Sequence, residues 1–313
     1  MFIRQNIYDL GGDWADLILW YARGIRAMSA RRLDDITSWQ FFAAIHGYSR
    51  WLWNFHGITQ PGDPEPKDDQ NDPVFINQCR HLSGYFLPWH RGYLLAMERQ
   101  IRHEIKSLGG PYDKWALPYW DCFEEGRGQI PPAFASPDWP DGIGDNPLYI
   151  VQRWGPMSRG LDEGAEAWDY DGAEVRGYET GFHWLQDGGP ARQAHFKVHG
   201  LVGGQKAGEF LPLPPPQNQV PVPGLMSVAA TAAYDPIFWL HRCNIDRLWG
   251  RHSFVCSDRS DVILDTREFM LPNPDRTFRT FTTDALLDAA ALGYSYADLT
   301  SGAHVQDQCI VCE

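Results

Sequence analysis

The chain is short of several things, and each shortage removes a class of function. No run of eighteen apolar residues occurs in its 313 residues, so no segment reads as a bilayer-spanning helix. Positive charge is scarce: 27 Lys and Arg stand against 40 Asp and Glu, a formal net charge of −13. A surface of that sign repels phosphate backbones and anionic headgroups, which argues against a nucleic-acid or membrane partner. The opening stretch, MFIRQNIYDLGGDW, lacks a basic head followed by an apolar segment, so no secretory leader is expected and a cytoplasmic location is. Cys79, Cys122, Cys243, Cys256, Cys309 and Cys312 are scattered rather than arranged as a disulfide framework, which fits a reducing compartment. No internal repeat of solenoid type is present, and no linker demands a second domain.

Aromatic residues, by contrast, are plentiful. They make up 14% of the chain, with 14 Trp, and 43% of all residues are hydrophobic, enough for a large core. Periodicity points to helices. Asp13 can cap one running to about Ala30, with Trp14, Leu17, Trp20, Tyr21 and Ile25 as its apolar stripe. A second begins near 34–37, carries Trp39, Phe42, Ile45 and His46, and can continue past Gly47 to Trp53. Residues 79–108 return to helical pattern, expected to break at Pro88 and stop at Gly109-Gly110. Residues 110–190 read as long loops with short helices, and LPLPPP at 211–216 as extended chain. Asp235-Pro236 supplies an N-cap and a first-turn proline for a further helix, after which short strands and turns are expected.

Histidines mark the chemistry. His195 and His199 are four apart, so on a helix they leave one face a turn apart, half of a metal site. His46, His81, His90 and His241 each sit in aromatic, apolar segments where a lone imidazole is costly to bury. A break at Pro88 lets His81 and His90, nine residues apart, both point inward. Six such histidines suggest two sites of three. Imidazole suits copper, zinc, nickel and iron, so ligand type alone does not choose the metal. A single catalytic zinc needs only three ligands, and the Glu-x-x-His runs of di-iron bundles are missing. Two neutral three-nitrogen sites facing each other favour a copper pair in a four-helix scaffold.

These residues resemble the type 3 copper proteins, which comprise tyrosinases, catechol oxidases (polyphenol oxidases) and molluscan haemocyanins. The resemblance covers nearly the whole chain and rests on His46 in SWQFFAAIHG, on His81 and His90 in CRHLSGYFLPWHRGYLLAMER, on HFKVH, and on DPIFWLHRCNIDRLW. It implies a mainly α fold, a four-helix bundle around a dinuclear copper centre with long loops and a few short strands, over residues 1–299. It implies two copper ions with O2 as co-substrate, one held by His46, His81 and His90, the other by His195, His199 and His241. Cys79 stands where fungal and molluscan members join a cysteine to the histidine ring by a thioether, here Cys79 to His81. Arg4 with Tyr294 or Tyr296 resembles the arginine and tyrosine motif that closes the catalytic core, and Asp246 and Arg247 resemble a run expected to support the copper ligands. The segment 224–228 corresponds to the loop roofing the pocket, so Leu225 or Met226 is expected at the substrate ring, with Phe196 offering a stacking face. Tail residues 300–313 end in a Cys309-x-x-Cys312 pair able to take a soft cuprous ion.

Two departures bear on activity. Many members have a second His where this chain has Arg242, and monophenol-hydroxylating tyrosinases often have Asn, paired with an upstream Glu, where this chain has Phe196. No Glu occurs from 180 to 194, and Asp187 is the near carboxylate. Phenols ionise near pH 10, so their deprotonation needs a positioned base more than catechol oxidation does. The implied reaction is O2-dependent oxidation of small o-diphenols, or o-aminophenols, to o-quinones, with weaker ortho-hydroxylation of monophenols. A haemocyanin-like oxygen carrier is the alternative.

Overall fold

Residues 1–66, 75–79, 85–123, 126–140, 144–158, 190–214, 219–255 and 267–300 are described by a computed structural model, with the backbone alone at 190–194, 251–255 and Thr300. Helices dominate them: α1 (Asp16–Ser29), α2 (Trp39–His46), α3 (Arg50–Phe55), α4 (Phe86–Ser107), α5 (Pro132–Ala135), α6 (Pro190–Gly203), α7 (Ala229–Ala232), α8 (Pro236–Val255) and α9 (Ala297–Thr300). Strands are short and paired two by two: β1 (Phe2–Arg4) with β6 (Tyr294–Tyr296), β2 (Gln205–Phe210) with β3 (Pro221–Pro223), and β4 (Glu268–Pro272) with β5 (Phe278–Thr282). The fold is therefore mainly α, and α2, α4, α6 and α8 bring its histidines together. No described helix is long and apolar enough to cross a membrane.

Local chemistry sets the boundaries. α1 starts after Ala15, which has no side chain to cap it, so Asp13 is not its cap. Its buried seam is Ile18, Tyr21, Ala22, Ile25 and Met28, turned from the expected stripe because the tryptophans Trp14 and Trp20 pack at its edge. α2 is capped by the Ser38 hydroxyl, which accepts from the Phe41 N–H at 3.0 Å. It stops at Gly47, whose backbone is extended, and α3 begins afresh under a Ser49 cap, so no helix runs through to Trp53.

Pro88 does not interrupt a helix. α4 starts at Phe86, placing Pro88 in the first turn, where a missing N–H costs nothing because those donors have no intrahelical acceptor. The chain stays helical for 22 residues and turns off at Gly109, with φ 78°. α8 begins as expected: the Asp235 carboxylate accepts from the Ile237 N–H at 3.0 Å while Arg153 clamps both its oxygens at 2.6 and 2.8 Å.

α1 and α8 both pack on α4, and β4 lies across it. The interior there is aromatic: Tyr93 lies 4.7 Å from Trp89 and 4.5 Å from Trp239, centroid to centroid. The two ends of the described chain meet beside this core. β1 and β6 run parallel, with Phe2 opposite Tyr294 and Arg4 opposite Tyr296. The Arg4 guanidinium stacks 3.8 Å above the Tyr294 ring, donates to the Tyr296 hydroxyl at 2.9 Å and pairs with Glu98 of α4 at 2.8 Å.

Candidate metal centre

Two clusters of ligand-type side chains form where the four helices converge. His46, Cys79 and His90 make one, and His195, His199 and His241 the other; within each, the candidate ligand atoms all lie within 4.8 Å of one another. His46 is the last residue of α2, His90 sits in the first turns of α4, His195 and His199 stand on one face of α6, and His241 is on α8. Cys79 approaches from the segment before α4, its Sγ 3.5 Å from His90 Nε2.

Backbone carbonyls aim three of these rings. His46 Nδ1 lies 3.0 Å from the carbonyl of Ala229, His90 Nδ1 2.7 Å from that of Phe86, and His199 Nδ1 2.7 Å from that of Met226. A carbonyl only accepts, so each Nδ1 carries the proton and each Nε2 presents its lone pair, the tautomer a metal requires. Close packing fixes the first contact. At Gly47 a Cβ would overlap the Ala229 carbonyl that orients His46.

The second cluster carries a plain sign of a missing partner. Both ring nitrogens of His195 and His241, and Nε2 of His199, are buried without a hydrogen-bond partner among the described residues, the His195 carbonyl giving His241 only an electrostatic contact short of one. Burial pushes all three imidazoles well below the usual histidine range, and the nearby Arg242 charge adds to that push. They are neutral at pH 7. Five orphaned lone-pair or N–H sites in a dry place are costly unless something coordinates there. A three-nitrogen set of neutral imidazoles fits a copper ion, as it does zinc, nickel or iron.

Two phenylalanines stand between the clusters. Phe86 is 4.6 Å from the His90 ring and 5.1 Å from that of His195, and Phe238 is 4.8 Å from His46 and 5.9 Å from His199. His90 acts electrostatically on His195, and His46 on His199, so the clusters face one another.

The remaining expected residues fall variously. His81, hence its thioether with Cys79, lies outside the described residues, as do Asp187 and the Cys309–Cys312 tail. Phe196 is exposed at the rim, its ring 4.9 Å from that of His195. Leu225 and Met226 are buried, and the segment reaches the site through the Met226 carbonyl. Asp246 and Arg247 sit in buried ion networks: Asp246 takes Arg91 at 2.7 Å and the hydroxyls of Tyr294 and Tyr296 at 2.6 Å, while Arg247 joins Asp121 at 2.5 Å to Asp298 at 2.7 Å. These hold α4, α8 and the chain ends together. Unforeseen in the sequence were the three carbonyls and the two bridging phenylalanines; backbone acceptors leave no residue signature.

Comparison with known proteins agrees with this geometry. The family model described as the common central domain of tyrosinase matches residues 36–157 and 168–253. Tyrosinase HcTyr1 of Hahella sp. is 34% identical over 80% of this chain and 53% of its own length, so the chain spans about half of that relative. An A-type haemocyanin of Enteroctopus dofleini is 28% identical over 81% of this chain and 20% of its own length. The copper-bound active tyrosinase of Aspergillus oryzae superposes with a TM-score of 0.65 at 21% identity, covering 97% of this chain and 94% of that one.

A helical bundle with two facing imidazole clusters is a type 3 copper architecture. The chain belongs to the tyrosinase family, whose cofactor is a dinuclear copper centre working with O2.

Proposed function

We propose that the protein oxidises o-diphenols, or related o-aminophenols, to o-quinones with O2, and hydroxylates monophenols more weakly. His46, His81 and His90 hold one copper and His195, His199 and His241 the other, within a catalytic unit of residues 1–299. The observation that carries this reading is the buried triad, five of whose six ring nitrogens meet no hydrogen-bond partner among the described residues, facing a second cluster across Phe86 and Phe238. Bound there, the copper pair supplies electron exchange between the organic substrate and O2. Each diphenol gives up two electrons and two protons, so two diphenols reduce one O2 to two waters.

The chain's own contribution is placement. Carbonyls of Ala229, Phe86 and Met226 keep three imidazoles in the coordinating tautomer, and the aromatic walls exclude water. Phe196 at the rim offers an aromatic face for a phenolic ring. With Phe there, the side chain after His195 cannot hold a water for deprotonating a monophenol, which favours diphenols, already oxidisable at neutral pH.

Similarity to an octopus haemocyanin keeps an oxygen-carrying role as the second reading. Oxygen consumption by the copper-loaded chain on a matched pair, a monophenol and its catechol, decides. Steady O2 uptake on the catechol with a much smaller rate on the monophenol is expected. Equal rates would refute the role given to Phe196, and reversible O2 binding without catechol turnover would establish the carrier.

A further inference from the structure

Arg242 is a buried charged group beside the centre that the proposed function does not use. It is 1% exposed, and Nε, Nη1 and Nη2 all lack a hydrogen-bond partner among the described residues. A buried guanidinium has five N–H donors to satisfy, and leaving them bare is costly. The other buried arginines of the bundle have carboxylates: Arg4 has Glu98, Arg91 has Asp246, Arg153 has Asp235. Arg242 faces aromatic rings instead, Phe86 at 5.0 Å and Phe238 at 5.1 Å. Those are the two rings that stand between the histidine clusters, so its charge lies one phenylalanine away from each.

We propose that Arg242 is a fixed cation that sets the charge preference of the metal pair, weakening divalent ions relative to monovalent ones and so favouring the cuprous state. Its charge acts on His195, His199 and His241 and reaches Cys79 of the opposite cluster. Among the described residues no carboxylate pairs with Arg242, so each added positive charge at the centre meets a cation they leave unneutralised. For unit charges roughly 5–10 Å apart at an effective dielectric of about 20, each unit is worth on the order of ten- to a few hundredfold in affinity. A divalent ion then loses at least about tenfold more than a monovalent one. Arg242 is a tuning residue acting through the metals, and it does not touch substrate.

The test uses the metal-free full-length chain with two probes, Zn2+ and Cu+, each titrated against a chromophoric chelator under anaerobic conditions. Arg242→Met keeps the stem and removes the charge; Arg242→Lys keeps the charge. The expected result is that Arg242→Met tightens Zn2+ by at least about tenfold more than it tightens Cu+, while Arg242→Lys leaves the ratio of the two affinities within about threefold of wild type. A ratio unchanged in Arg242→Met, or shifted equally in Arg242→Lys, overturns the proposal. So does a chain that folds only with a cation at 242, since the charge would then be a structural requirement. Neither probe needs a phenol or O2, so a failure of diphenol turnover leaves this result standing.

Discussion

Asp246→Asn offers the sharpest measure of how the bundle is closed. Oδ1 accepts from Arg91 at 2.7 Å, and Oδ2 accepts from the hydroxyls of Tyr294 and Tyr296 at 2.6 Å each, with Arg4 at 3.4 Å. All of these groups are buried. Breaking one partner out of a buried ion pair costs about 3–5 kcal/mol. Here the lower end applies, because the cations are not stranded: Arg91 keeps the carbonyls of Leu286 and Leu287, and Arg4 keeps Glu98. An unfolding entropy of about 2.1 cal/mol/K per residue over 313 residues turns about 3 kcal/mol into a Tm loss of about 4–5 °C. Burial alone would raise the Asp246 pKa, but the charges of Arg91 and Arg4 and the two tyrosine hydroxyls outweigh it and hold the carboxyl below the usual range. A depressed folded pKa means that the stabilisation is complete above the unfolded value, near 4, and is lost as pH falls through the folded one. Thermal unfolding of wild type and Asp246→Asn in parallel therefore shows a constant gap from pH 7 to about 5, closing only below about 4. Zn2+ affinity stays within about threefold, since Asp246 makes no hydrogen bond to a described imidazole. A gap under about 1 °C, or one that stays open in acid, would refute the reasoning.

Gly47→Ala drives a methyl into the Ala229 carbonyl that orients His46, so it lowers stability by about 1–3 kcal/mol and weakens metal binding at the first cluster while sparing the second. Chemical denaturation with metal titration reads both, and a variant indistinguishable from wild type would show that the carbonyl contact is dispensable. Pro88→Ala changes stability by less than about 1 kcal/mol and leaves metal affinity unchanged, because a first-turn residue gives no intrahelical N–H bond to lose. A loss of metal binding on circular dichroism and titration would mean that the proline sets the direction of His90 after all.

What the sequence disclosed and what it hid follow from the range of the forces involved. The four-residue step from His195 to His199, and the aromatic segments around His46, His90 and His241, are local patterns tied to helical geometry, so these five histidines stood out as candidates, whereas His81 lies outside the described residues and Cys79 stands beside His46 and His90. Helix ends were harder. Asp13 and Pro88 are both strong boundary residues, yet α1 starts later, with Ile18 buried, and Pro88 falls in the first turn of α4, where a proline is tolerated. Asp246 and Arg247 were legible as a charged pair but not as to what they hold, since their partners lie as far as 242 residues away in the chain. Least visible were the carbonyls of Ala229 and Met226, which any residue type supplies. Glycine is the trace they leave: Gly47, at the end of α2, is small so that Ala229 can come close enough to fix the tautomer of the histidine just before it. At this position the approach of a second segment of chain, more than the imidazole itself, decides which nitrogen meets the metal.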